Sequence, residues 1–402
     1  VSGHRAARWA ANALIVAASC LVALAAFELG VRLLRPQPMA SVARSPRLGW
    51  MHKPNTEMVY ERREFRVPVR FSSFGLRDRE YPLQKPPGTL RIAWLGDSFV
   101  EALQVPLDSC ATERLEARLA ATAGRRSEVL NFGVSGYGTC QQLLLLEEMA
   151  LRFEPDLVLA QYYFNDLDDD RKLGMCGLDA EGALVVTPAA QLTLVTRLTS
   201  ATKSFLYRHS HLWMFVSTRQ RRTVRPGGRA ETAADAAMPA VPLYDEAGGV
   251  PVPSCPGRHK SFEWFLTLHD LPAETQRALD QHAAIWERMA ARCRARGARF
   301  VGIIGVSRTQ IEPEVYAKTL RDTGCRAAAH DWDLAPARLK AAAAARGVEV
   351  IDLLPAFRAA TAAGETLHFR IDGHWNAAGN RVAAAAVCDT LRQRGILEPV
   401  QP

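Results

Sequence analysis

Leu90-Arg91-Ile92-Ala93-Trp94-Leu95-Gly96-Asp97-Ser98 is a short apolar run that stops at a turn tripeptide. The run is too short for a helix, and its nearly continuous apolar character suits a strand buried on both faces. Outward from it the pattern repeats. Residues 108–123 read as an amphipathic helix, 128–132 as a strand, 140–152 as a helix and 156–162 as a third buried strand. The alternation breaks at about 167–262 and resumes with a helix near 273–296, a strand at 299–304, a helix near 335–346, a strand at 348–353 and a helix near 377–394. Strands alternating with helices predict a parallel sheet covered on both sides, a three-layer α/β/α sandwich. In such sheets ligands bind at the carboxyl ends of the strands.

Four polar motifs fall at those ends. Gly96-Asp97-Ser98 follows the first strand, Asn131-Phe132-Gly133-Val134-Ser135-Gly136 the second, and Phe164-Asn165-Asp166 the third. Asp372-Gly373-His374-Trp375-Asn376 precedes the last helix. Each alone is a common turn or loop sequence. Together, in this order along one sheet edge, they form a chemically coherent set.

A serine hydroxyl is a poor nucleophile until a neighbouring base takes its proton. His374 suits that base, because imidazole titrates near working pH. Asp372 suits the partner that holds the imidazole tautomer. Gly373 between them permits a bend. Asn376 is a good helix N-cap, and a ring near a helix N-terminus is disfavoured from protonating early. Attack on an ester creates an oxyanion, for which the backbone N–H of Ser98, the N–H of Gly136 and the amide of Asn165 are the candidate donors. Asp97 reads as a brace for the loop.

These segments resemble the sequence blocks of the SGNH/GDSL hydrolases, whose name records Ser, Gly, Asn and His. Carried over by position, they match Ser98, Gly136, Asn165 and His374, with Asp372 as the triad acid. The resemblance spans roughly 71–394 and is weak over 167–262. It implies a flavodoxin-like α/β/α fold, cleavage of acyl esters, and no cofactor or metal. Two features depart from the family pattern. Tyr163 stands where a glycine is usual two residues before the asparagine, and Asp372 lies two rather than three residues before His374. The shorter Asp-x-His-Trp form resembles the branch that includes bacterial alginate O-acetylation proteins; Asp352, at a strand end, is a distant substitute acid. Phe74-Gly75-Leu76-Arg77 also looks like the stretch preceding the domain in envelope members, with a structural salt bridge expected of Arg77.

Residues 9–27 form an uncharged apolar run preceded by Arg5 and Arg8. At about 1.5 Å per residue a helix of that length nearly spans a hydrocarbon core of about 30 Å. Ala23-Leu24-Ala25 resembles a signal-peptidase site, whereas the helical continuation to Leu34 favours an uncleaved anchor, with Arg32 and Arg35 reaching the interface. Val1 points to an alternative start codon or a trimmed chain. The expected layout is an anchor or signal peptide (1–36), an extended wrapping segment (37–88) and a hydrolase domain (89–402) with an insertion at 167–262. The expected location is a membrane-anchored domain outside the cytoplasm, in a bacterial periplasm, or a secreted form.

The insertion holds an acidic cluster (Asp166, Asp168, Asp169, Asp170), a helical stretch near 190–217, and Arg219, Arg221, Arg222, Arg225 and Arg229 beside Pro226-Gly227-Gly228. A solvated loop explains the arginines better than contact with anionic lipid or polysaccharide. The net charge is +8, but neither zinc-finger spacing nor a base-reading helix is present, which argues against nucleic acid. No P-loop or dinucleotide fingerprint occurs either. Eight cysteines are scattered without a C-x-x-C pair. They read mainly as small buried hydrophobes, with Cys176–Cys255 a candidate disulfide in an oxidising compartment.

The leading expectation is a serine esterase that removes short acyl groups, acetyl by the resemblance, from an envelope glycan or small ester. The alternatives are an O-acetyltransferase using the same triad and a catalytically silent, glycan-binding scaffold.

Overall fold

A computed structural model describes residues 2–34, 41–122, 126–187, scattered positions between 202 and 216, 262–323 and 326–397. The chain divides into two units: Val1–Arg44 with Thr193–Val241, and Ser45–Leu192 with Pro242–Pro402. In the first, α1 (Ser2–Leu34) contains a stretch, Ala11–Leu34, of mean hydropathy 2.3 with none of its most apolar window buried. That makes α1 a candidate membrane span of 24 residues. A helix of that length measures about 36 Å, enough for a hydrocarbon core with some tilt. The helical stretch expected near 190–217 lies largely outside the described residues, and the arginine cluster at 219–229 entirely so.

The second unit is built on a five-stranded parallel sheet: β1 (Leu90–Gly96), β2 (Ser127–Gly133), β3 (Leu157–Tyr162), β4 (Arg299–Ile304) and β5 (Val350–Asp352). The strands lie in the order β5-β4-β3-β1-β2. This flavodoxin-like order reverses direction between β1 and β3, the crevice where such sheets take their ligands. The expected fold class is the one observed. Every residue of β1, β2 and β3 is buried, which explains why β1 and β3 read as apolar runs without alternation. Full burial of each large side chain there, such as Ile92, Phe132 or Leu159, contributes roughly 1.5–3 kcal/mol. Arg91 is tolerated inside β1 because its guanidinium reaches the Glu128 carboxylate at 2.7 Å and the carbonyls of Pro82, Leu83 and Phe153.

The connecting helices are α2 (Ser98–Glu101), α3 (Ala111–Thr122), α4 (Thr139–Glu148), α5 (Asp166–Leu173), α6 (Ala273–Arg294), α7 (Pro313–Thr323), α8 (Leu334–Ala344), α9 (Leu354–Ala362) and α10 (Ala377–Gln393). The helices α2, α5, α7 and α9 add to those read from the sequence. Ahead of the sheet, residues Glu57–Glu61 and Arg66–Arg70 pair as an antiparallel hairpin. The acidic cluster forms the buried first turns of α5, and a small hairpin follows, Cys176–Leu178 against Leu184–Val186.

Two expectations are corrected. Cys176 is bonded to Cys140, at the start of α4, with their Cα atoms 5.8 Å apart. The disulfide therefore ties the hairpin after α5 to the sheet-covering helix, whereas Cys255 lies outside the described residues. Arg77 makes no salt bridge among the described residues. Its buried guanidinium donates to the carbonyls of Glu101, Ala102 and Val105 and approaches Cys110 Sγ at 3.0 Å, gathering the end of α2 and the loop beyond it. Cys110, Cys293 and Cys388 are free and buried, as small hydrophobes would be.

Candidate active site

β1 ends at Gly96, and Asp97 caps the short helix α2 by accepting the Phe99 N–H at 2.9 Å. Ser98 is thus the first residue of a helical turn at the carboxyl edge of the sheet. The chain passes close to its neighbour here. A Cβ on Gly133, at the end of β2, would overlap the backbone nitrogen of Glu101. Asn131 braces the same junction, donating to the Val100 carbonyl at 2.9 Å and accepting from the Gly133 N–H at 2.9 Å.

Asp372 and His374 arrive on a closed loop rather than a strand. Phe369 N–H donates to the His374 carbonyl at 2.8 Å, and Gly373 N–H donates back to Phe369 at 3.2 Å. Gly373 holds φ at 88°, a left-handed conformation that glycine adopts without penalty. That bend, and not strand alternation, turns both side chains the same way. His374 Nδ1 lies 2.6 Å from Asp372 Oδ1, and Nε2 lies 2.8 Å from Ser98 Oγ. Trp375 anchors the loop from below, donating to the Val306 carbonyl at 3.0 Å. Asn376 caps α10, accepting from Ala378 and Gly379.

The electrostatics follow from this geometry. Burial disfavours the imidazolium of His374, but the carboxylates of Asp372 and Asp97 outweigh it, and the His374 pKa is raised. The expected lowering by the α10 N-terminus is therefore not the net result. Asp372 pays a burial penalty too, yet His374 and Arg62 hold its carboxyl below the ordinary value. Asp97 is pushed up to about 6, first by burial.

Of the other residues singled out, Gly136 sits in the loop after β2 with φ at 78°. Asn165 is the N-cap position of α5. Its amide nitrogen donates to Asp169 Oδ2 at 2.7 Å and also lies against Asp97. Asp352, the substitute acid, is engaged elsewhere, with Lys340 at 2.9 Å and the Leu354 N–H at 3.0 Å. Tyr163, in the position where glycine was usual, stacks on Phe99 with ring centroids 3.7 Å apart. Phe99 in turn tilts against His374 at 4.7 Å, so an aromatic wall backs the imidazole.

Sequence reasoning missed a second layer. Glu101, wholly buried, accepts the N–H of Ser135 at 2.9 Å as well as its hydroxyl, and its other oxygen meets His52 Nε2 at 2.5 Å. Glu64, at the tip of the 57–70 hairpin, accepts the N–H groups of Arg370, Ile371 and Asp372, each at 2.8 Å. The acidic cluster faces inward beside this site: Asp166 meets Thr139 and Gln142, and Asp170 accepts the Cys140 N–H at 2.9 Å. Burial pushes the Asp170 carboxyl up to about 8.

A parallel sheet in this order, with serine, histidine and aspartate in hydrogen-bonded sequence at its carboxyl edge, has the layout of an SGNH hydrolase domain. Residues 262–401 match the family described as SGNH hydrolase-like domain, acetyltransferase AlgX, which bears out the resemblance read from the sequence. The matched stretch contains Asp372 and His374, while Ser98, Gly136 and Asn165 lie ahead of it. No curated protein matches the chain. Among solved structures, an acetyl xylan esterase, AlAXEase, aligns at 11% identity and a TM-score of 0.40, over 75% of this chain and 100% of its own. TesA aligns at 14% identity and 0.37, over 75% and 98%. A catalytic mutant of Axe2, an acetylxylan esterase from Geobacillus stearothermophilus, aligns at 13% and 0.37, over 78% and 97%.

Proposed function

We propose that the protein is a serine enzyme of acyl-ester chemistry, with Ser98 as nucleophile, His374 as base and Asp372 as the acid that orients it. The observation that carries this is the unbroken relay of 2.8 Å and 2.6 Å from Ser98 through His374 to Asp372. Ser98 Oγ attacks the ester carbonyl while its proton passes to His374 Nε2. The leaving alcohol takes that proton, and the acyl group stays on Ser98. Water, deprotonated by the same imidazole, then releases the acid. The N–H groups of Ser98 and Gly136 and the Asn165 amide are the oxyanion donors in this reading, each worth about 3–4 kcal/mol where such donors are well aligned. Asn165 donates to Asp169 and lies against Asp97, so in this reading its amide turns from one of these acids to meet the oxyanion.

The substrate in this reading is a short O-acyl ester, foremost O-acetyl, on an envelope glycan or small molecule. The protein works outside the cytoplasm, held by α1. The apolar span and the Cys140–Cys176 disulfide support that location, because disulfides persist in oxidising compartments. A second reading, transfer of the acyl group to a sugar hydroxyl in place of water, is favoured by the matched family's description as an acetyltransferase.

The test uses the full-length protein in detergent with p-nitrophenyl acetate and longer esters, wild type beside Ser98→Ala, with and without a sugar acceptor. Ser98-dependent release of free acid supports the hydrolase, and acceptor-dependent acetyl-sugar supports the transferase. Equal rates in Ser98→Ala would sink both and leave a glycan-binding scaffold.

A further inference from the structure

The hairpin at residues 57–70 belongs to the segment ahead of the sheet, and nothing in its sequence advertises chemistry. Its tip nevertheless reaches the loop that carries Asp372. Three consecutive backbone N–H groups, of Arg370, Ile371 and Asp372, converge on the two oxygens of Glu64 at 2.8 Å. Successive N–H groups turned to one side form a concavity that binds an anion. Here the chain supplies its own anion from 306 residues away. Ordinary charge-assisted bonds of this kind are about twice as strong as neutral ones, and three on one carboxylate leave the loop little freedom.

The contact is reinforced on both sides. Phe65 packs on Phe369 with ring centroids 5.0 Å apart. Arg308 donates to the Arg370 carbonyl at 2.6 Å. From the same hairpin turn, Arg62 adds a positive charge that helps hold Asp372 ionised. The loop closed by Phe369 and His374 is therefore clamped from outside as well as by its own hydrogen bonds.

We propose that Glu64 is a positioning residue: it fixes the 370–372 backbone so that Asp372 meets His374 in the productive geometry. This rests on the serine-enzyme reading above. Glu64 touches neither the nucleophile nor the base, and acts through the peptide groups of the loop. A carboxylate displaced by about 1 Å costs on the order of 100-fold in turnover.

The test is Glu64→Ala, with Glu64→Gln and Glu64→Asp beside it, in the full-length protein. The groups that face His374 are Asp372, Asp97 and Arg62, together with His368 on the same loop. Simple removal of the Glu64 charge therefore has to be separated from loss of geometry. Glu64→Gln does so, because it removes the charge and keeps an acceptor oxygen. Two quantities are read: kcat against KM on p-nitrophenyl acetate, and the titration of His374 with its Nδ1–H proton signal by NMR. Glu64→Ala should lower kcat by about 100-fold with KM little changed. It should also weaken the Nδ1–H signal and move the His374 titration downward, with Glu64→Gln lying between it and wild type. Unchanged kcat and an unchanged His374 titration in Glu64→Ala would overturn the proposal. If Glu64→Ala fails to fold, judged by circular dichroism, the Gln and Asp variants carry the same two readings. If wild type shows no Ser98-dependent turnover, the functional reading fails on its own, and the NMR titration still decides whether Glu64 orients the pair.

Discussion

Glu101 and Ser135 join the two loops that flank the proposed nucleophile. Glu101 stands three residues after Ser98, and Ser135 one residue before Gly136. The carboxylate receives the Ser135 N–H at 2.9 Å together with its hydroxyl, and is backed by His52 at 2.5 Å. The nucleophile turn and the loop of the proposed oxyanion donor are thus held by one wholly buried group.

Removal of that group should therefore cost both stability and rate. Glu101→Ala removes the carboxylate that both His52 and Ser135 meet, and breaking a buried pair in this way costs about 3–5 kcal/mol. Urea denaturation at pH 7 measures it as a lowered midpoint. Burial raises the Glu101 pKa, but His52 and Ser135 more than compensate, and the net shift is downward. A carboxyl with a depressed folded pKa stabilises above its unfolded value of about 4.3 and loses that contribution as pH falls through the folded value. The difference between wild type and variant should consequently shrink in acid. A constant difference from pH 7 down to pH 3 would contradict the assignment.

Gly373 should resist substitution. At φ 88° an alanine is strained, by roughly 1–2 kcal/mol, and relief of that strain would swing Asp372 away from His374. Gly373→Ala should lose far more activity than melting temperature. Paired activity and thermal-melt measurements check this, and a fully active variant would show that the bend is dispensable.

The pH–rate profile should have its acid limb above the usual imidazole value of about 6.5, since Asp372 and Asp97 raise the His374 pKa against its burial. The base is free only above its own pKa, so activity rises with pH through that limb. Asp372→Asn removes the larger carboxylate effect. It should shift the limb downward while it lowers kcat by about 10²–10⁴-fold. A limb in the variant that coincides with wild type would remove Asp372 from its role.

The Cys140–Cys176 bond closes a separation of 36 residues. In the chain-entropy description a loop of that size stabilises by about 4 kcal/mol. A Cys140→Ser, Cys176→Ser double variant should melt several degrees lower and be insensitive to reductant, whereas wild type is sensitive. Mass spectrometry of a non-reduced digest should show the 140–176 cross-link, and a 176–255 peptide would reverse the assignment.

The sheet was legible because burial on both faces demands continuous apolar runs, and β1, β3 and β4 carry them between clear turn signals. Ser98, Gly136 and Asn165 were legible as residue types following strands, and His374 as one just ahead of a helix. The bend at Gly373 was only half legible, since glycine announces freedom and not the angle taken. Tyr163 looked like a departure, but in three dimensions it is a stacking partner for Phe99. The Cys176 partner was misread because Cys176 and Cys255 bracket the least regular stretch of the sequence, whereas α5 brings Cys176 back to Cys140 on α4. Glu64 and His52 left no signal, and Arg77 was noticed but given the wrong kind of partner: each acts on backbone atoms or on another buried group away along the chain, and periodicity does not report such contacts.

The hairpin tip has a practical corollary for anyone cutting this gene into pieces. A fragment begun at Leu90 would retain all five strands, the serine, the histidine and the aspartate, and by every motif would look complete. It would also lack the carboxylate on which the 370–372 amides close. The piece that carries every motif and the piece that works are then different lengths, separated by a stretch of chain that no motif search would keep.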